Sequence, residues 1–100
     1  MNITINKIDD EYTIIVDGRI DTLTSSSLED ACLPLITETT PNIIIDCTKV
    51  NYISSTGLRV FILADKKSAT FNGEVTIKGL SDFLKNIFDI SGLTGFFKFV

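Results

Sequence analysis

The pattern of apolar and polar residues predicts strands in five parts of the chain, most of them from alternation and one, Asn42–Cys47, from a continuous apolar run typical of a central strand covered on both faces. Ile3 and Ile5 are separated by polar residues, and a period of two is typical of a half-buried strand. Tyr12–Asp17 is rich in β-branched residues and follows a polar turn, so we expect it to form a hairpin with the first strand. The other strands are predicted at Asn42–Cys47, Glu74–Lys78 and Phe96–Val100, and for the last of these a docked tail is the alternative.

Apolar residues at intervals of three and four predict three helices between these strands. In the first, Leu28, Cys32 and Leu35 share one face, and Pro34 is expected to kink or interrupt the helix. Two further helices are expected at residues 58–69 and 80–89. The inward face of the last helix is expected to contain Phe83, Leu84, Ile87 and Phe88.

The order of these elements, β-β-α-β-α-β-α-β, indicates the fold class. Strands that alternate with helices form crossover units, which build a largely parallel sheet covered by helices. Gly18 is interpreted as the break that ends the second strand, and residues 48–53 as a connection. With 100 residues, of which 44% are hydrophobic, we expect one α/β domain over residues 1–100 with a small, mixed and mostly parallel sheet.

The composition excludes several classes of function. The chain has no histidine, so a Ser-His-Asp triad, a Cys-His pair and a histidine-ligated metal site are absent, and no metal or cofactor is predicted. Its formal net charge is −4, whereas proteins that neutralise phosphates need a surplus of Lys and Arg. Neither a nucleic acid nor an anionic membrane is therefore expected as a partner.

The two cysteines and the N-terminus predict a cytoplasmic protein. Cys32 and Cys47 lie in apolar runs without a CxxC spacing and are interpreted as small buried hydrophobic residues. The first eight residues lack the uninterrupted apolar region of a signal peptide. No apolar run approaches the roughly 20 residues that span a bilayer.

Three consecutive hydroxyl residues, Ser54, Ser55 and Thr56, precede Gly57 and the second helix. In an open α/β sheet this position lies outside the carboxyl ends of parallel strands, where ligands and partners dock. One of the hydroxyls is expected to cap the helix, and on the pattern alone a cap is favoured over the alternative, a phosphorylation site.

An enzymatic role is not predicted for these hydroxyls. A serine nucleophile needs a general base within hydrogen-bonding reach, and without histidine only Asp21, Asp46 or a lysine remains. A Ser-x-x-Lys pattern is absent because Leu58 stands three residues after Ser55. A phosphate-binding loop of the GxxxxGK[ST] type is also absent.

Several segments together resemble the STAS domain, in the branch of the bacterial anti-sigma factor antagonists. VNYISSTGLRVF (residues 50–61) is similar to the motif that opens the second helix of that family, an apolar residue, an acid, Ser, Ser/Thr, Gly and Leu. GRID (18–21), IID (44–46) and FDISGL (88–93) resemble other family segments, in the same order and with matching spacing. The resemblance spans nearly all of the chain and implies the STAS fold.

The resemblance also implies a function for the hydroxyl cluster. The regulatory serine of the family corresponds to Ser55, with Thr56 and Gly57 after it, while Ser54 stands where the family has an acid. A member of this family binds an anti-sigma factor that has serine-kinase activity, which frees a sigma factor. Phosphorylation of the serine stops binding, and a phosphatase restores it. Arg59 stands where the family often has a small residue, and it is expected either near an added phosphate or in solvent.

Some alternatives stay open at this point. The acids that close predicted strands, Asp21 and Asp46, are expected either to bond loop N–H groups or to contact the partner. The serine in place of the family acid favours a second function, a docking or regulatory subunit of a transporter or signalling complex that is never phosphorylated. The phenylalanines are expected in the core and at its edge, and exposure of the last three would indicate a docking patch; they are Phe83, Phe88, Phe96, Phe97 and Phe99.

Overall fold

A five-stranded sheet with strand order β1-β2-β3-β4-β5 forms the centre of the molecule in a computed structural model that describes all 100 residues. β1 is antiparallel to β2, and the other neighbouring strands are parallel. The predicted α/β class with a mixed, mostly parallel sheet is therefore confirmed. The strands are β1 (Asn2–Ile8), β2 (Glu11–Ile20), β3 (Ile43–Ile53), β4 (Val75–Lys78) and β5 (Lys98–Phe99).

Three helices connect the parallel strands: α1 (Ser25–Cys32), α2 (Ser55–Thr70) and α3 (Asp82–Ile90). Because the parallel strands follow one another across the sheet, right-handed crossovers bring all three helices to the same face. Burial along β3 agrees, since Ile43, Ile45 and Cys47 are buried whereas Ile44 and Asp46 are half-buried. One sheet face thus carries the core, and the other is left open.

The core contains nineteen buried hydrophobic residues between the sheet and the helices. Phe61 from α2 and Phe88 from α3 meet edge to face, with ring centroids 5.5 Å apart. Phe97 packs edge to face against both of them. Of the other three phenylalanines predicted in the core or at its edge, Phe99 packs against the core, but the prediction was wrong for Phe83 and Phe96, which are 73% and 60% exposed.

β2 and β3 are both longer than the sequence pattern indicates. β2 continues past Gly18, whose φ is +113°, and β3 includes residues 48–53, which we had interpreted as a connection. The two strands remain paired to their ends, where Ile20 lies opposite Ile53. Both strands therefore deliver their last residues to the same edge of the sheet.

α1 ends where proline was expected to interrupt it. A single 3₁₀ turn over Leu33–Leu35 contains Pro34 close to its start, where a missing N–H is tolerated. The predicted third helix and final strand are also present. None of the helices combines the length and the apolar character needed to cross a membrane.

Candidate functional site

The hydroxyl cluster lies where β3 passes into α2, next to the end of β2. The Ser54 N–H donates a hydrogen bond to the carbonyl of Ile20, at 2.8 Å from nitrogen to oxygen. Ile20 and Ile53, the last residues of β2 and β3, are both buried. The beginning of α2 is therefore fixed to the core by the backbone, and the hydroxyls project from a rigid support.

Ser54 is the residue that caps α2. Its backbone is extended (φ −82°, ψ 172°), and its Oγ accepts a hydrogen bond from the Gly57 N–H at 3.1 Å. The Oγ also lies 2.7 Å from Oγ1 of Thr56, so these two hydroxyls are bonded to each other. The expected cap is thus present, and two of the three hydroxyls are engaged in holding the first turn.

Ser55 differs from both of its neighbours. It is the first residue of α2, it is exposed, and its hydroxyl makes no hydrogen bond to another part of the chain. Activation of a serine nucleophile requires a base bonded to its oxygen, and no carboxylate or lysine bonds this one. The Ser55 hydroxyl is therefore exposed and has no base bonded to it.

Gly57 permits the close approach of α2 to the ends of the two strands. A Cβ atom at this position would lie 2.7 Å from Cγ2 of Ile20 and 3.1 Å from Cγ2 of Ile53. It would also lie 3.1 Å from the Ile20 carbonyl oxygen. These contacts are tighter than packed atoms allow, so only glycine lets the hydroxyl cluster sit this close to the core.

Arg59 lies one turn beyond Ser55 on the exposed side of α2. Its Nη1 is 3.8 Å from Oε1 of Glu29 on α1, and the two side chains are 68% and 36% exposed. An ion pair this exposed and this long contributes little to stability.

Asp21 organises the turn between β2 and α1. Its Oδ1 accepts hydrogen bonds from the N–H groups of Leu23 and Thr24, at 3.0 and 2.9 Å, and lies 3.0 Å from Oγ1 of Thr24. The N–H and the hydroxyl of Thr24 are the main reasons that the pKa of Asp21 is lowered, with smaller contributions from the N–H of Leu23 and from Arg19. Of the two interpretations of this acid, the bond to loop N–H groups is the one observed.

Asp46 lies away from the hydroxyl cluster. It does not close β3 as expected but stands in the strand, seven residues before Ile53, which is about 23 Å along the strand. Its Oδ1 accepts bonds from the hydroxyl and the N–H of Thr48, at 2.6 and 3.0 Å. Partial burial acts to raise the pKa of Asp46, but the bonds from Thr48 and the nearby Lys78 and Lys49 outweigh it, and the pKa is lowered.

Two features beside the cluster were missed by the sequence analysis. Leu23, in the turn held by Asp21, is 85% exposed. The guanidinium of Arg19 stacks on the ring of Tyr52, 4.2 Å from its centroid, across the paired ends of β2 and β3. The sequence signal for the exposed Leu23 was a leucine inside a hydroxyl-rich loop. The contact between Arg19 and Tyr52 depends on strand pairing beyond Gly18, which was not predicted.

No group of three or more Cys, Asp or Glu side chains is placed to hold a metal ion.

The model of the STAS domain family matches residues 2–100. The chain belongs to the STAS domain family. Together with its relatives, this match confirms the resemblance found in the sequence and places the chain among the anti-sigma factor antagonists, a class of regulatory proteins.

The relatives agree with this assignment. An anti-sigma-B factor antagonist of Staphylococcus epidermidis is 34% identical over 95 residues, which cover 93% of this chain and 88% of the relative. An anti-sigma factor antagonist from Mycobacterium paratuberculosis superimposes with a TM-score of 0.85 at 21% identity, over 98% of this chain and 83% of that one. The phosphorylated form of the Bacillus cell fate determinant SpoIIAA superimposes with a TM-score of 0.78 at 14% identity, over 99% and 91%. The last two likenesses concern the fold alone.

Proposed function

We propose that this STAS domain binds an anti-sigma factor that has serine-kinase activity, frees a sigma factor by doing so, and is switched off by phosphorylation of Ser55. The observation that carries the proposal is the hydroxyl of Ser55, which is exposed and unbonded on a fixed helix start. The proposed binding surface comprises the residues around it, namely Asp21, Ser54, Ser55, Thr56 and Arg59, and the buried Gly57 supports them from beneath.

The chemistry of the switch is a phosphoryl transfer. The partner kinase passes the γ-phosphoryl group of ATP to Oγ of Ser55, which releases ADP and the hydroxyl proton, and a phosphatase hydrolyses the ester to return serine and phosphate. The phosphoserine carries about −1.5 to −2 charges at neutral pH. Burying that charge in an interface built for a neutral hydroxyl costs desolvation, so the modified protein dissociates.

The serine in place of the family acid is compatible with this switch. Ser and Asp are both good N-caps, and Ser54 makes the cap bond to Gly57. The replacement keeps the helix start and removes one negative charge beside Ser55. We place the exchange in the cytoplasm, a reducing compartment suited to the two buried, unpaired cysteines.

Intact-mass analysis tests the modification. The purified protein is incubated with ATP and the anti-sigma factor kinase from the same cells, and we expect a gain of one phosphoryl group. Ser55→Ala removes the gain, whereas the control Thr70→Val, which removes an exposed hydroxyl at the far end of the same helix, retains it. A wild-type mass that stays unchanged with an active kinase refutes the proposal for Ser55.

Binding to the same kinase tests the effect of the charge. Ser55→Asp and Ser55→Asn have side chains of nearly equal shape and differ in charge. We expect titration calorimetry to show binding by the wild type and Ser55→Asn and at least a tenfold weaker affinity for Ser55→Asp. Equal affinity of the two variants would contradict an electrostatic switch.

A docking or regulatory subunit that is never phosphorylated is the second candidate. It is favoured by the missing acid beside Ser55, because a kinase that reads that acid has nothing to recognise here. Binding to the kinase without any mass gain would support this candidate over the first.

A further inference from the structure

Arg59 is placed to reach a group attached to Ser55. The two residues are four positions apart on α2, so their Cβ atoms lie about 5–6 Å from each other on one side of the helix. The next cation along α2, Lys66, is eleven residues from Ser55, which is about 16 Å along the axis. Arg59 is therefore the cation of this helix that lies within one turn of the hydroxyl.

The present partner of Arg59 holds it weakly. The closest approach to Glu29 is 3.8 Å, which is beyond the 2.7–2.9 Å of a charge-assisted hydrogen bond, and both side chains face solvent. The pair constrains Arg59 little, and a stronger anion within reach will replace Glu29.

Resting on the function proposed above, we infer that Arg59 is the internal receptor of the phosphate on Ser55. On phosphorylation its guanidinium leaves Glu29 and forms a two-pronged pair with two phosphate oxygens. A phosphate offers about twice the charge of a carboxylate and three acceptor oxygens, and the planar guanidinium matches that geometry. The modified form is then stabilised by a contact that the unmodified form does not have.

Thermal unfolding of four proteins measures this coupling. Phosphoserine is installed at position 55 during synthesis, without any kinase, in the wild type and in Arg59→Gln. We expect the change in Tm on phosphorylation to be more favourable in the wild type than in Arg59→Gln, by roughly 1–4 °C. Lys66→Gln, which removes the same charge from the same helix, is the control and keeps the wild-type difference.

Two further measurements identify the contact. In the wild type the nuclear magnetic resonance signal of the Arg59 Nε–H shifts on phosphorylation, as expected for a new strong acceptor. Glu29→Gln releases Arg59 in advance, so the Tm difference in this background is at least as large as in the wild type. An equal response of wild type and Arg59→Gln, with no change at the Arg59 Nε–H, would overturn the inference. Because no kinase is used, that result is distinct from a failure of Ser55 to be a kinase substrate.

Discussion

Replacing Gly57 with alanine tests how the fold positions the hydroxyl cluster. The added methyl group would meet Ile20 at 2.7 Å and Ile53 at 3.1 Å, and both of these side chains are buried and cannot move into solvent. The first turn of α2 must then move outwards, which weakens the 2.8 Å bond between Ser54 and Ile20.

The expected loss combines two opposing effects. Overpacking of this kind costs about 1–3 kcal/mol, and alanine regains up to about 1 kcal/mol over glycine in a helix. With the full gain the net destabilisation is about 0–2 kcal/mol, and its central value of about 1 kcal/mol corresponds to a fall in Tm of about 4–8 °C for a domain of this size. Binding to the anti-sigma factor kinase is expected to weaken as well, because Ser55 moves with the turn.

Calorimetric unfolding of Gly57→Ala measures this effect, with Gly95→Ala as the matched control. A Cβ atom at Gly95 meets nothing within 4 Å, and its φ is not positive, so this substitution is expected to leave Tm nearly unchanged. If Gly57→Ala unfolds at the same temperature as Gly95→Ala, the close approach is not what requires glycine, and the argument for a fixed helix start fails.

Four further outcomes are expected. Ser54→Ala loses the cap and about 1 kcal/mol in urea unfolding, whereas Ser54→Asp retains most of the stability. The lowered pKa of Asp21 means that its carboxylate stabilises the fold above its ordinary pKa of 3.8 and that this contribution is lost as the pH falls through the folded value. The difference in urea unfolding midpoint between wild type and Asp21→Asn should therefore decrease as the pH is lowered from about 7 to about 3. Leu23→Ser should leave Tm nearly unchanged, because the side chain is exposed and takes no part in the core, and we expect it to weaken binding to the kinase because Leu23 lies in the turn held by Asp21 beside the hydroxyl cluster. Burial raises the pKa of Cys32 and of Cys47 to about 12, so iodoacetamide should label neither thiol in the native protein and both in urea.

The period of the hydrophobic residues was sufficient to predict the fold class, because most of the helices and strands that pack on the core follow it. It failed in the second half of β3. Register shifts between β2 and β3 near Gly18 break the alternation, and Val50 and Ile53 are buried at an interval of three residues. The positions of β3 that face the core shift where its pairing with β2 changes register. An alternating pattern in the sequence alone does not reveal a strand of this kind.

The same limit applies to α3 and to the cluster. Phe83 lies about 100° around the helix axis from Leu84, and which side of an apolar stripe is covered depends on the sheet beneath it. Among three adjacent hydroxyls, sequence alone does not decide which one caps the helix. The hydrogen bond from the Ser54 N–H to the carbonyl of Ile20 in β2 fixes the start of α2 and leaves the Ser55 hydroxyl free.

The separate roles of the two adjacent serines bear on the rate of switching. Ser54 holds the start of α2, whereas the Ser55 hydroxyl makes no bond on which the fold depends. Under the proposed switch, a phosphoryl group added to Ser55 therefore breaks none of the hydrogen bonds that hold the main chain. We then expect the rate of switching to follow the rates of the kinase and the phosphatase, without a refolding step.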